Sequence, residues 1–246
     1  MGLKAAGFVP FFLTSRDVSE DFLIQSYMDI NFFGNVVSIN TSQVCTVILM
    51  AFILILALIG RRAVLNGNPD NPGTVQNATE LLVEFLDRMV FTSMGKYADK
   101  YRNYILTILI FICVSNISGI FGLRPPTADF AVTFGMGVIT FVLIQYVNIK
   151  VNKFGAFTGL FKPVPILFPI NLIGEFANPI SLSLRLFGNV VAGTIMLGLY
   201  YGLLPWFAKI GIPAALHAYL DLFSGVIQTY VFAMLSMAWL VDKYGD

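Results

Sequence analysis

The sequence predicts an all-α integral membrane protein with five transmembrane helices and one interfacial amphipathic helix, in which the last two spans form a long, tilted hairpin. Composition is the first observation: 57% of the 246 residues are hydrophobic and only 12% are charged, whereas soluble domains carry about 25% charged residues. The second observation is a series of apolar runs that reach the length of about 20 residues that a bilayer-spanning helix needs.

The first three predicted spans have ordinary lengths. They cover residues 39–60, 104–123 and 130–149, and none of the three contains a charged residue. The short segment 124–129, with two consecutive prolines, joins the second span to the third. Such a turn predicts a helical hairpin. Residues 1–38 are polar enough for us to expect an N-terminal extramembrane segment.

The last two predicted spans are longer than a bilayer requires. They cover residues 169–203 and 214–241, and each contains only isolated ionisable residues. A helix over 169–203 would be about 50 Å long, against a hydrocarbon core of about 30 Å. The sequence therefore predicts that this helix tilts steeply, kinks at Pro179 or protrudes from the bilayer.

Residues 77–100 predict a helix that lies in the membrane interface rather than across it. Leu82, Phe85, Leu86 and Met89 recur at helical spacing, with charged residues between them. An amphipathic pattern of this kind is typical of helices at the boundary between lipid and water.

The placement of Lys and Arg predicts the orientation of the chain. With five spans, ten of these residues fall on one side of the membrane and four on the other. Because cytoplasmic loops collect basic residues, we expect the N-terminus outside and the C-terminus in the cytoplasm. The N-terminal stretch has no transit-like pattern, which favours the plasma (inner) membrane of a bacterium and a multi-pass topology.

Ionisable residues inside spans are functional candidates because they are costly in lipid. Arg185 lies well inside the fourth span, cannot deprotonate and costs about 2.5–3.5 kcal/mol at a helix centre. Asn189, one turn further on, shares its face. Glu175 lies about 15 Å away along the axis and is not a direct partner. A partner on another helix or another protein must therefore offset the cost of Arg185.

Polar residues of the last span recur at intervals of four, three and four residues: His217, Asp221, Ser224 and Gln228. On a regular helix they form one stripe, which beside Arg185 would make a polar path inside the membrane. A purely structural role stays open, because the neutral residues could supply interhelical hydrogen bonds. Arg185 could likewise sit in a fixed ion pair with Asp221, and His217 could be an ordinary interfacial histidine.

Other classes of membrane protein fit the sequence less well. An ion-coupled secondary transporter or channel is the main alternative, but transporters carry paired interrupted helices in two repeats, and no repeat is visible. A voltage sensor needs arginines in series. This chain has one arginine inside a span. An intramembrane protease needs an HExxH motif or a serine in a Gly-rich nucleophile context, and the sequence contains neither. We expect no catalytic residue, no cofactor and no nucleic-acid partner, and no metal site apart from a possible sodium path.

The segment around Arg185 resembles a known family closely. Residues Pro179 to Gly193 read PISLSLRLFGNVVAG, which resembles the signature of subunit a of the F-type ATP synthases. Three further segments resemble the family's loop between its second and third membrane helices, the turn between its long helices and its last helix: residues 126–133, 204–206 and 224–232. The resemblance spans roughly residues 40–242.

This resemblance implies a stator subunit that has no catalytic site of its own. In the family, two half-channels reach the middle of the membrane from opposite sides and meet a rotating ring of c subunits, each with a carboxylate. The arginine faces the ring, favours the ionised carboxylate by charge attraction and keeps the half-channels apart. The implied partners are the c-ring, the peripheral stalk b subunits and the lipid bilayer.

The resemblance also implies roles for individual residues. Arg185 takes the stator role, Asn189 matches the family's asparagine one turn on, and Gln228 matches the glutamine that supports the arginine. Asp221 falls where many bacterial members have histidine and mitochondrial ones an acid. Glu175 falls where many bacterial members have an acid, and is expected to line an access path.

One position departs from the family pattern. Nine residues after Arg185, many bacterial members have glutamate and others have histidine, whereas this chain has Thr194. We expect the titratable group to have moved across the helix pair to Asp221. Because Thr194, Ser224 and Gln228 offer neutral oxygens, the path is compatible with protons and with sodium.

Overall fold

The computed structural model describes residues 26–32, 35–67, 72–121, 124–153, 155, 166, 168–203 and 212–245. The turn that the resemblance predicts at residues 204–206 lies outside these residues, as does most of the predicted N-terminal segment.

The described chain is helical apart from one small β-hairpin, in which β1 (Ser26–Phe32) pairs antiparallel with β2 (Asn35–Asn40). The helices follow in order: α1 (Thr41–Leu65), α2 (Thr74–Met94), α3 (Ala98–Ile117), α4 (Phe130–Asn152), α5 (Phe168–Leu203), α6 (Ile212–His217) and α7 (Ser224–Asp242). Within the described residues, five helices are long and apolar enough to cross a membrane. The predicted all-α membrane fold is confirmed, and the hairpin is an addition to it.

The first helices differ from the predicted ranges at their ends. α1 begins at Thr41 rather than residue 39, because residues 39–40 pair in β2, and it continues to Leu65. The predicted interfacial helix over 77–100 is two elements: α2 ends at Met94, and α3 begins at Ala98 after a 3-10 turn. Gly95 has a φ of 52°, a conformation that glycine tolerates best, and this residue interrupts the helix.

α2 is amphipathic, as the pattern of residues predicts. Leu86, Val90 and Met94 are buried against α3 and α7. On the polar face, Arg88 bonds Glu84 one turn earlier at 2.8 Å, an exposed pair worth a few tenths of a kcal/mol. The packed side therefore holds α2 to the bundle.

The core of the bundle lies between α3, α4, α5 and α7. One part of it consists of six buried residues from these four helices: Ile108, Ile112, Met136, Leu182, Leu186 and Phe232. Lipid is as apolar as these side chains, so close packing rather than water exclusion must favour their association. The backbones of α4 and α5 come especially close at Gly137, where an added Cβ would lie 2.9 Å from the Pro179 carbonyl oxygen.

α5 is one long helix, as predicted. Its 36 residues continue through Pro179 and give a length of about 54 Å at 1.5 Å per residue. The Ser183 hydroxyl donates to the Pro179 carbonyl oxygen at 2.7 Å. A proline cannot donate a backbone hydrogen bond and usually disturbs the preceding turn. Position 179 is buried against α4, and the helix is not broken there.

The last predicted span, residues 214–241, is not a regular α-helix. A π-helical turn, Ala218–Phe223, separates the short α6 from α7. Because i→i+5 hydrogen bonds wind the chain less tightly than α-helical ones, His217 does not share the stripe that regular spacing predicts for Ser224 and Gln228. The prediction of one four-residue stripe is therefore wrong for His217. Ser224 and Gln228 keep the predicted spacing, because both lie on α7.

Candidate functional site

Arg185 lies near the middle of α5 on the outside of the bundle. Its neighbours Leu182 and Leu186 are fully buried in the core, whereas Arg185 itself is exposed. No described residue forms a hydrogen bond or an ion pair with its guanidinium. The charge that the sequence identifies as the costliest in the chain therefore points away from the helices with which α5 packs.

Small residues surround Arg185 on the exposed face of α5. Successive steps of four, four, three and four residues give a row that we call the Arg185 stripe: Ala177, Ser181, Arg185, Gly188 and Ala192. These positions are exposed and fall within an arc of about 80° at 3.6 residues per turn. An added Cβ at Gly188 meets no described atom within 4 Å. Small side chains of this kind let another helix approach closely.

Asn189 and Ser224 lie close together. The Ser224 hydroxyl donates to the Asn189 side-chain oxygen at 2.8 Å, and this bond joins α7 to α5 one turn beyond Arg185. Both residues are half-buried. The interhelical hydrogen bond that the structural interpretation anticipated is therefore present for this pair.

Gln228 lies one turn further along α7 and is buried. Its amide nitrogen has no hydrogen-bond partner among the described residues. A buried donor without a partner costs about 1–3 kcal/mol, and in a native fold it calls for a reason. Gln228 therefore does not serve as interhelical glue within the described chain.

Thr194, His217 and Asp221 are the other residues predicted for this part of the site. Thr194 is exposed, and its hydroxyl donates to the Val190 carbonyl of its own helix at 3.0 Å. His217 ends α6 and is half-buried. Asp221 lies in the π turn, but its side chain is outside the described part of the structure. The predicted relation between Arg185 and Asp221 stays a prediction.

Glu175 lies away from this group, toward the start of α5, in a three-helix contact. One carboxylate oxygen pairs with the Lys243 ammonium at 2.6 Å. The other accepts a hydrogen bond from the Gln145 side-chain nitrogen of α4 at 2.6 Å. Both oxygens are therefore engaged, and Glu175 is separated from Arg185 by the 15 Å along the axis that the sequence predicts.

A buried polar cluster joins α3 to α7. The Asn116 side-chain nitrogen donates to the Gly225 carbonyl at 3.0 Å and to the Thr229 hydroxyl at 3.4 Å. The Asn116 side-chain oxygen accepts from the Thr127 hydroxyl at 2.9 Å. An added Cβ at Gly225 would lie 2.8 Å from the Asn116 Cβ. This cluster fixes α7 at the level of Ser224 and Gln228.

The sequence analysis missed Asn116, Gln145 and Lys243. Asn116 and Gln145 are polar residues inside predicted spans, which is the general mark of an interhelical hydrogen bond, so this signal was available. Lys243 follows the last span and contributed only to the prediction of orientation. Its pairing with a residue 68 positions away leaves no local pattern.

Comparison with known proteins adds an independent finding. The family described as ATP synthase A chain matches residues 43–241, which include every predicted site residue. The chain belongs to this family. The resemblance noted for the Arg185 segment is thereby confirmed over most of the chain.

Several bacterial relatives of the ATP synthase A chain family are similar along most of their length. The ATP synthase subunit a, sodium ion specific, of Propionigenium modestum is 40% identical over 192 residues, which cover 71% of this chain and 65% of that protein, slightly under two thirds. Subunit a of Priestia megaterium is 37% identical, covering 70% and 79%. Subunit a of Lysinibacillus sphaericus is 32% identical, covering 84% and 93%.

Proposed function

We propose that this chain is the stator ion-channel subunit of an F-type ATP synthase. It has no catalytic role of its own. Two half-channels carry ions to and from the carboxylates of a rotating c-ring and so couple ion flow to ATP synthesis. The observation that carries the proposal is the position of Arg185, a permanent charge on an exposed helix face with no partner among the described residues. An unpaired charge inside a membrane is costly, so we infer that another protein faces Arg185.

The positive charge of Arg185 has two proposed roles in the mechanism. A ring carboxylate that has released its ion is attracted to the guanidinium, and an opposite charge within a few ångströms stabilises the ionised form. A carboxylate that is still neutralised must give up its ion before it passes Arg185. The same positive charge repels a cation that would cross directly between the two half-channels, and this keeps ion flow coupled to rotation.

The Arg185 stripe supplies the surface on which the ring would turn. Its small residues let a ring helix come close to the α5 backbone and bring its carboxylate to the level of the guanidinium. The peripheral stalk b subunits and the lipid bilayer are the other proposed partners. Nucleic acid is not one of them, because the net charge of +1 provides no basic footprint.

The two half-channels are assigned from positions along α5. Asn189 and Thr194 lie beyond Arg185 in the chain direction, where Asn189 is bonded to Ser224 of α7. We assign these residues, with Gln228, Asp221 and His217, to one path. Glu175 lies before Arg185 and belongs to the other path. An antiparallel α5–α7 pair therefore offers polar groups on both sides of the arginine.

The coupling ion is a proton in the first candidate and sodium in the second. Sodium is favoured by the 40% identity to the Propionigenium modestum subunit, which is sodium ion specific. It is also favoured by the side-chain oxygens near Asn189, because Thr194 and Ser224 are neutral and hard cations prefer oxygen ligands. The proton is favoured by the titratable groups Asp221 and His217.

This chain is a multi-pass membrane protein, and we propose that it lies in the plasma membrane of a bacterium with its N-terminus outside. The excess of Lys and Arg in alternate loops supports that orientation. Single cysteines introduced at Lys153 and at Asp129 should react with a membrane-impermeant maleimide from opposite sides, with Lys153 labelled from the cytoplasm. Labelling of Lys153→Cys from outside intact cells would reverse the topology.

Arg185→Ala in the reconstituted complex tests the function. We expect loss of ATP synthesis driven by a pH gradient or by a sodium gradient, together with a passive leak of the coupling ion. The leaking ion identifies the physiological one. Arg88→Ala is the matched control, because that arginine is exposed on α2 and pairs only with Glu84 among the described contacts. Retained coupled synthesis in Arg185→Ala would show that the arginine is structural.

Asp221→Asn tests whether the titratable group has moved from position 194. We expect this variant to lose most ion-driven synthesis, and the double variant Asp221→Asn with Thr194→Glu to regain part of it. Normal synthesis in Asp221→Asn alone would exclude the relocation while leaving the role of Arg185 untouched.

A further inference from the structure

The chain after α7 folds back on the bundle in a tight turn. The Tyr244 backbone nitrogen donates to the Val241 carbonyl at 2.9 Å, and the Gly245 nitrogen donates to the Asp242 carbonyl at 3.1 Å. Gly245 has a φ of 73°, in the left-handed region that glycine adopts without strain. This turn sends the side chains of Lys243 and Tyr244 to two different groups of partners.

Lys243 points toward α5 and α4. Its ammonium lies 2.6 Å from a Glu175 carboxylate oxygen, and the side chains of Lys243 and Glu175 are only 17% and 24% exposed. The second carboxylate oxygen accepts from Gln145. A charge-assisted pair with an additional hydrogen bond has defined geometry, so the carboxylate is held from two sides.

Tyr244 points toward the start of α3. Its ring stacks on Tyr97 with the centroids 3.8 Å apart. Its hydroxyl shares a 2.7 Å hydrogen bond with that of Tyr101 and accepts one from the Lys100 ammonium at 3.0 Å. Burial favours the neutral phenol, but the hydrogen bonds from Lys100 and Tyr101, together with the positive charges of Lys100 and Lys150, lower the pKa of Tyr244 below its ordinary value. The aromatic contact therefore anchors the turn.

The backbone of the turn is held as well. The Asn152 side-chain nitrogen, at the end of α4, donates to the Lys243 carbonyl at 3.0 Å. We call Lys243 and Tyr244, with these contacts, the C-terminal clasp. It bridges the start of α3, the end of α4 and the first part of α5, three elements that no short connection joins.

A cavity of about 50 Å³ adjoins the clasp. Polar residues of α4, α5 and α7 line it together with apolar ones, among them Thr140, Asn178, Asp242 and Glu175. Most of the cavity wall is apolar, and these four polar side chains give a water molecule the two to four partners that it needs in such a space. The carboxylate that Lys243 holds therefore stands at the wall of a wettable space at the C-terminal end of the bundle.

We propose that Lys243 is a positioning residue for ion transfer, which holds the Glu175 carboxylate at the wall of this cavity while Tyr244 anchors the turn that carries it. The inference rests on the proposed function, in which Glu175 lines one of the two ion paths. Lys243 contacts Glu175 and Asn152 rather than Arg185. It sets where the carboxylate stands at the wall of the cavity.

A purely stabilising ion pair is the competing explanation, and it makes different predictions. A stabilising pair lowers the amount of assembled complex when it is broken and leaves the ion flow of each assembled complex unchanged. A positioning residue changes ion flow for each assembled complex. Its loss also has no further effect once Glu175 is neutral, because the group that it positions no longer carries charge.

The test uses the reconstituted complex and measures passive and ATP-driven ion flow for each assembled complex, with assembly quantified from the c-ring content. We expect Lys243→Met to lower ion flow at least fivefold. Lys243→Arg, which keeps the positive charge, should have ion flow within twofold of the original protein. Lys243→Met combined with Glu175→Gln should be no slower than Glu175→Gln alone. Arg88→Met is the control, since that arginine is exposed on α2 and pairs with Glu84 rather than with a residue of the clasp.

Unchanged ion flow in Lys243→Met overturns the proposal, as does a double variant whose defects multiply. If Lys243→Met fails to assemble, the double variant is the test, because it removes both charges of the pair. Ion flow below that of Glu175→Gln then overturns the proposal, and ion flow equal to it supports the proposal. Arg185→Ala runs in the same assay. If Arg185→Ala loses coupling while Lys243→Met keeps normal ion flow, only the proposal for Lys243 is refuted. If Arg185→Ala keeps normal coupling, the proposed function is refuted, and the proposal for Lys243 is refuted with it.

Discussion

The Ser224 hydroxyl of α7 donates a 2.8 Å hydrogen bond to the side-chain oxygen of Asn189 on α5. Asn189 lies one turn beyond Arg185, so this bond sets the spacing of the two long helices beside the stator arginine. Both side chains are half-buried, which leaves the pair within reach of an ion path. Neutral interhelical hydrogen bonds in membranes average about 0.6 kcal/mol. The bond therefore has more effect on position than on stability.

Ser224→Ala should slow ion-driven ATP synthesis two- to tenfold, because the loss of one hydrogen bond costs about 0.5–1.5 kcal/mol and frees Asn189 to rotate. The thermal unfolding midpoint in detergent should change little. Ser236→Ala is the matched control: that hydroxyl donates to the Phe232 carbonyl of its own helix and joins no second helix. Equal effects of the two variants on synthesis would contradict the prediction.

Gly188→Leu should abolish coupled synthesis while the subunit still folds. Gly188 belongs to the exposed Arg185 stripe and has free space around its Cα, so a leucine meets nothing within the described chain but blocks a partner helix. Co-purification of the ring and ion-driven synthesis are the two measurements. Gly135→Leu on α4, where an added Cβ also meets no described atom, should retain both. A fully coupled Gly188→Leu complex would mean that the ring docks elsewhere.

The helices and Arg185 were predictable because both follow from the cost of polar groups in lipid. Runs without charge must span the membrane, and an arginine inside such a run must have a reason to be there. The length of α5 follows from the same counting. These inferences need only residue order and the thickness of the bilayer.

The π turn and the C-terminal clasp were not predictable in this way. The change from i→i+4 to i→i+5 bonding at Ala218–Phe223 is set by packing and has no periodic pattern, so the predicted stripe assumed a regular helix. The Glu175–Lys243 pair joins residues 68 positions apart. Its partners are neighbours only because α5 and α7 run in opposite directions, which composition does not encode.

Asn116→Ala should lower the free energy of unfolding by about 1–3 kcal/mol, because it leaves a buried Thr127 hydroxyl without its acceptor and removes a link between α3 and α7. For a chain of this size, that corresponds to a fall of about 2–12 °C in the unfolding midpoint. Asn103→Ala makes the same change at an exposed position of α3 and should have no measurable effect. If the two variants unfold at the same temperature, the buried cluster contributes nothing to stability.

Gly137→Ala tests the close approach of α4 and α5. The new Cβ would lie 2.9 Å from the Pro179 carbonyl oxygen and against the Ser183 hydroxyl. The carbonyl belongs to the backbone of α5 and cannot move alone, so the helices must separate. Overpacking of this kind costs about 1–3 kcal/mol, and separation of α5 from α4 also displaces the stripe that carries Arg185.

The unfolding midpoint of Gly137→Ala should therefore fall, and ion-driven synthesis should fall with it. Gly135→Ala is the matched control, since it lies two residues away on the same helix with no described atom within 4 Å of its added Cβ. Alanine is the better helix former by about 1 kcal/mol, so this control should be neutral or slightly stabilising. A Gly137→Ala protein as stable as Gly135→Ala would show that α5 is free to shift against α4, and the position of Arg185 would then not depend on this contact.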